Sequence, residues 1–138
     1  MNPILRRVLA VVAGVVASSL VILAIEDASH ALLSNGVVMP DVNDADAVRT
    51  YADSMSFAQL ASLLVAWCAG SFVGSSVGIR LAGGAERTVS LVVGAFVLGA
   101  TVMNFFQFPH PTWLMVSAVV LIPVASWLAI PRPVKGTS

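Results

Sequence analysis

Three stretches of the chain carry no Asp, Glu, Lys or Arg: residues 8–25, 54–79 and 88–131. Apolar and small residues fill them, without the polar return every three or four positions that gives a water-soluble helix its wet face. The first two are close to the ~20 residues, at about 1.5 Å rise each, that cross a bilayer core of roughly 30 Å. The third is about twice that length and is broken at Pro109-His110-Pro111. Two prolines so close cannot continue a helix, and the histidine between them marks a water interface, so this stretch divides in two. The pattern predicts an all-α polytopic membrane protein, a four-transmembrane-helix bundle with spans at about 8–25, 57–79, 89–108 and 111–130. Residues 1–138 then form a single membrane domain.

Between the first two spans, residues 27–56 form the only substantial segment outside the bilayer. The pattern Ala28, Ala31, Leu32 prolongs the first helix by two turns to Asn35-Gly36, a helix-stop pair. Met39-Pro40 imposes extended chain. Asn43 with Asp46 reads as an N-cap followed by an acid in the first turn of a short amphipathic helix over 45–55. Ser56-Phe57-Ala58-Gln59 fits a capping box that opens the second span. The segment is too small for a domain of its own and reads as a cap on the outer face of the bundle.

Charge adds direction to this picture. Seven basic and seven acidic residues sum to a net charge of zero. Arg6, Arg7, Arg80, Arg87, Arg132 and Lys135 fall on one side of the spans, and only Arg49 falls on the other. The positive-inside rule then puts both termini in the cytoplasm and the acidic cap loop outside. Trp113 and Trp127 stand near opposite ends of the fourth span, as interfacial aromatics do. The scattered basic residues leave no face for nucleic acid. Cys68 is alone, so there is neither a disulfide nor a CxxC pair, and nucleotide-loop, nucleophile-elbow and HExxH motifs are absent. Arg6-Arg7 before an apolar run resembles a secretory signal, but the run exceeds the usual core of about 7 to 15 residues, so the first span is expected to be retained.

Two features carry candidate function. Gly70, Gly74 and Gly78 make a flat strip on the second span, with Ala66, Ser71 and Ser75 beside them, and Ala10, Gly14 and Ser18 make a matching strip on the first. Such strips either pack the two spans together or serve self-association. Glu26 and His30, four apart on one helix face, gather with Asn104 and His110 near the outer helix ends. An acid at the edge of hydrocarbon is costly unless it faces the bundle interior or water. The cluster is therefore either a hydrogen-bonded plug, with His30 or Asn104 satisfying Glu26, or a proton- or solute-handling site. Glu26, His30 and His110 have a zinc-like ligand chemistry but no fourth ligand and no general base, so no metal and no cofactor are expected. No histidine lies inside a span, which disfavours haem ligation.

Glu26-x-x-x-His30, Ala66-Trp67 leading into Gly70-x-x-x-Gly74, and Asn104 followed by Pro109-His110-Pro111-x-Trp113 together resemble an uncharacterised family of small bacterial four-helix integral membrane proteins. The resemblance implies a multi-pass protein of the bacterial inner membrane and transfers no residue role. From the residues themselves, the expected function is non-enzymatic: self-association, or service as an accessory subunit of a larger membrane assembly. The alternative is a proton-coupled small-solute transporter that uses Glu26.

Overall fold

A computed structural model describes residues 1–84 and 87–132, which fold into five helices and no strand. They are α1 (Pro3–Leu33), α2 (Ala45–Ser54), α3 (Phe57–Ala82), α4 (Arg87–Gln107) and α5 (Thr112–Leu128). Glu86 and Lys135 lie outside the described residues.

Each helix begins and ends where local chemistry dictates. Asn2 caps α1 by accepting from the Ile4 N–H at 2.9 Å, with Pro3 in the first turn, where its missing N–H costs nothing. α1 runs 31 residues, about 46 Å at about 1.5 Å each, and stops where Asn35 (φ 51°) and Gly36 (φ 79°) turn left-handed. The prolonged first helix and its Asn-Gly stop are thus as expected. The cap of α2 is not. Asp44, rather than Asn43, accepts from Ala47 N at 3.0 Å, because Asn43 is held by Asp41 through both its backbone and side-chain N–H groups at 2.9 Å. α3 opens on the expected capping box, Gln59 N to Ser56 Oγ at 3.3 Å and Ser56 N to Gln59 Oε1 at 2.7 Å. It closes at Gly83, whose φ of 108° only glycine adopts freely. The Arg6 Nε donates to Leu81 O at 2.9 Å, placing a cation on the carbonyl end of α3.

The expectation of four spans requires correction. Three helices, α1, α3 and α4, are long and apolar enough to cross a membrane. The fourth apolar stretch gives α5, apolar but only 17 residues long. Prolines set that length: Pro111 supplies the N-cap, and the helix ends at Leu128, with Ala129 as its C-cap two residues before Pro131. Five helices with three of span length also depart from the four-helix architecture that the family resemblance implied. The structure brings Arg6 beside the end of α3 but contains no bilayer, so it assigns no side to either terminus, and the cytoplasmic placement of both loses its footing.

α3 is the centre of the fold, with α1, α4 and α5 packed on it and α4 also touching α1. The two small-residue strips meet each other. A Cβ placed on Gly14 would lie 2.7 Å from the Gly74 carbonyl oxygen, and one on Gly74 would strike Ser18 Oγ and Gly14 O. Gly70 faces Ile22 and Gly78 faces the Ala10 carbonyl in the same antiparallel seam. The opposite side of α3 is held differently, by hydroxyls. Ser71 Oγ and Ser126 Oγ are 2.6 Å apart, Ser71 donates to Ile122 O at 3.2 Å, Ser90 to Ser126 O at 2.7 Å, and Ser75 to Ser90 O at 3.3 Å. All four serines are buried, so each polar group is satisfied where water cannot reach. An apolar cluster of Trp67, Val97, Leu114, Ala118 and Ile122 fills the space between α3, α4 and α5. The result is a small all-helical membrane protein whose α2 end is acidic and whose opposite end, at Arg6, Arg80 and Arg87, is basic.

Candidate functional site

The antiparallel pairing of α1 and α3 brings the last turns of α1 to the first half of α3. Glu26 lies there opposite Trp67, whose indole Nε1–H donates to Glu26 Oε1 at 3.2 Å. Trp67 is 3% exposed and is wedged by two rings, Phe105 at 5.9 Å and His110 at 6.0 Å between centroids. Phe105 and His110 in turn meet edge-on at 5.4 Å. The indole that holds the acid therefore has little freedom to turn.

His110 sits in the break between α4 and α5. Its Nδ1–H donates to Phe108 O at 2.6 Å, a bond only the Nδ1-protonated ring can make to a carbonyl, so the neutral ring leaves Nε2 as an acceptor. Partial burial pushes the His110 pKa below the usual imidazole value, against the smaller opposing effect of that bond. His30, one turn beyond Glu26, turns instead to α2, with Nδ1 3.4 Å from the Tyr51 hydroxyl. Nearby, both N–H groups of Asn43 hold the exposed Asp41 carboxyl below its ordinary range.

Glu26, His30, Asn104 and His110 line a single cavity of about 140 Å³, which Tyr51 of α2 and the C-cap residue Met55 also line. A cavity of this size is close to one that holds a benzene molecule. The four residues surround the space without bonding one another, so the plug in which His30 or Asn104 satisfies Glu26 is not formed. Among the described residues, Glu26 Oε2 and the Asn104 side chain make no hydrogen bond. No three His, Cys, Asp or Glu side chains of the described residues stand together as an ion would need. The four packing glycines Gly14, Gly70, Gly74 and Gly78 are all buried in the α1–α3 seam, remote from any surface for a second copy.

Two residues of the cavity escape a reading for acids and histidines. Among the described residues, Trp67 supplies the only hydrogen bond to the Glu26 side chain, and Tyr51 tethers α2. Trp67 had a signal: a tryptophan ten residues into an apolar helix lies far from the interface where its N–H would meet water, so it needs a buried acceptor. The hydroxyl ladder of Ser71, Ser75, Ser90 and Ser126 had no comparable signal, because serine in a membrane helix can also bond its own backbone, as Ser19 and Ser76 do here. Comparison of the chain with protein-family models, with curated proteins and with solved structures gives no match, so the family resemblance read from its short motifs is not upheld.

Proposed function

We propose that this chain is a non-enzymatic protein of the bacterial cytoplasmic membrane that handles a small solute in the cavity at its acidic end. Glu26 is the group that accepts a proton or the donor groups of a cationic solute. The observation that carries this reading is the convergence of Glu26, His30, Asn104 and His110, from three parts of the chain, on one space in which Glu26 Oε2 and the Asn104 amide are unused. An acidic group beside aromatic faces suits a cation. The cavity lies beyond the strongly apolar part of α1, where a solute can exchange with water. The test is flux into proteoliposomes loaded with a pH-sensitive dye, driven by a gradient of guanidinium, a small and permanently charged donor. The wild-type protein should move guanidinium or protons above the lipid background, and Glu26→Gln should lose most of that flux while keeping its helical circular dichroism. Equal flux in the two proteins overturns the proposal.

A second reading, assembly with another copy or with a larger membrane partner, has one observation in its favour. Ala95 and Gly99 lie one turn apart on the exposed side of α4, and Gly99 has no atom within 4 Å of where a Cβ would stand. Gly99→Cys, in a Cys68→Ser background, should cross-link to a neighbour in native membranes. Recovery of the monomer alone removes this reading.

A further inference from the structure

A second hollow, about 160 Å³, lies on the far side of Trp67 between α1, α3 and α4. It shares Glu26, Trp67 and Asn104 with the acidic-end cavity, so the same carboxyl faces both spaces. Its rim includes Ser19, Phe96 and Ala100, all exposed on the flank of the helices that faces lipid in a membrane. Its interior is not wholly apolar. Thr101 is satisfied by Val97 O at 2.9 Å, but Ser18 Oγ, in a residue only 2% exposed, is buried with no hydrogen-bond partner. That hydroxyl packs against Gly74 in the α1–α3 seam, so the polar groups open to the groove are those of Glu26 and Asn104. Glu26 and Asn104 present oxygen acceptors along this groove, whereas Ile22, Phe96 and Val97 present hydrocarbon.

We propose that the α1–α4 groove is a side opening from the bilayer to Glu26, and that it admits an amphiphilic amine. An ammonium head brings three donors and no acceptor, which complements Glu26 and Asn104, while its alkyl body lies along Ile22, Phe96 and Val97 and leaves between Ser19 and Ala100. A purely apolar chain would leave the acceptors unpaired, and a purely polar cation would not partition to a lipid-facing rim. This inference rests on the reading that Glu26 handles a solute. It adds the class of that solute and the side from which it arrives.

Trp67, which lines both spaces, reports occupancy directly. In a Trp113→Phe/Trp127→Phe protein reconstituted in nanodiscs, dodecylamine should change Trp67 emission saturably, and at least tenfold more tightly than guanidinium. Dodecanol, with the same chain and no amine, should give no saturable change. Ala100→Leu, which fills the exposed rim without adding an indole, should weaken dodecylamine at least tenfold and leave guanidinium unaltered, and Glu26→Gln should weaken both. Dodecanol acting as well as dodecylamine overturns the amine assignment. Dodecylamine binding that is untouched by Ala100→Leu overturns the side opening alone, because the Glu26 site would then be reached from water. Responses to dodecylamine and guanidinium that both survive Glu26→Gln remove the inference and the solute reading together.

Discussion

Single side chains decide whether Glu26 is tolerable at the edge of hydrocarbon. The indole N–H of Trp67 is its only hydrogen-bond donor in the described structure, so Trp67→Phe keeps the ring and deletes the bond. The loss should cost about 1–3 kcal/mol, the range for a buried polar group left unpaired, read from chemical denaturation in detergent. Glycines offer an internally controlled pair. Gly74→Ala drives a methyl into Ser18 Oγ and the backbone of Gly14 and should destabilise by about 1–3 kcal/mol, as overpacking does. Gly99→Ala, with open space around it, should be neutral or gain up to about 1 kcal/mol from helix propensity. His110 gives a pH dependence. Its pKa is lower folded than unfolded, so its contribution to stability is complete above the unfolded value of about 6.5 and is lost as pH falls through the folded one. The thermal midpoint should therefore drop between pH 7 and pH 5, and His110→Gln should flatten that slope.

At the scale of elements, what was legible in the sequence was what local chemistry controls. The Ser56–Gln59 box, the Asn35-Gly36 stop and the glycine strips each follow from residues a turn apart, and each stands where it was expected. Ser56→Ala should accordingly cost about 1 kcal/mol through the start of α3, seen as fraying in hydrogen exchange. The misses needed information from further away. Asn43 had the right chemistry for a cap, but Asp41 had already claimed it. The fourth apolar stretch has the composition of a span, yet the prolines at its two ends limit α5 to 17 residues. Of the candidate site, the four named residues do share a cavity, but Trp67 and Tyr51 join them only through the antiparallel packing of α1 on α3 and the placement of α2.

For the whole molecule, the small-residue strips are an internal matter. Cysteines at Ala10 and Gly78, in a Cys68→Ser background, should form a disulfide within one chain on mild oxidation, because a Cβ on Gly78 would stand 3.2 Å from the Ala10 carbonyl oxygen. A product of twice the mass would instead show that these helices pair between copies. The two sides of α3 also differ in kind, and this sets an order of disassembly. Apart from the bonds of Arg6 to Leu81 O and Trp67 to Glu26 toward its two ends, the seam to α1 relies on a close fit between surfaces, which forfeits about a quarter to a half of its attraction on opening by about 0.5–1 Å. Hydrogen bonds from Ser71, Ser75, Ser90 and Ser126 instead latch α3 to α4 and α5. Pulled from its two ends out of a bilayer, the protein should give up α1 in the first rupture, leaving the serine-bonded remainder as a later and separate force peak.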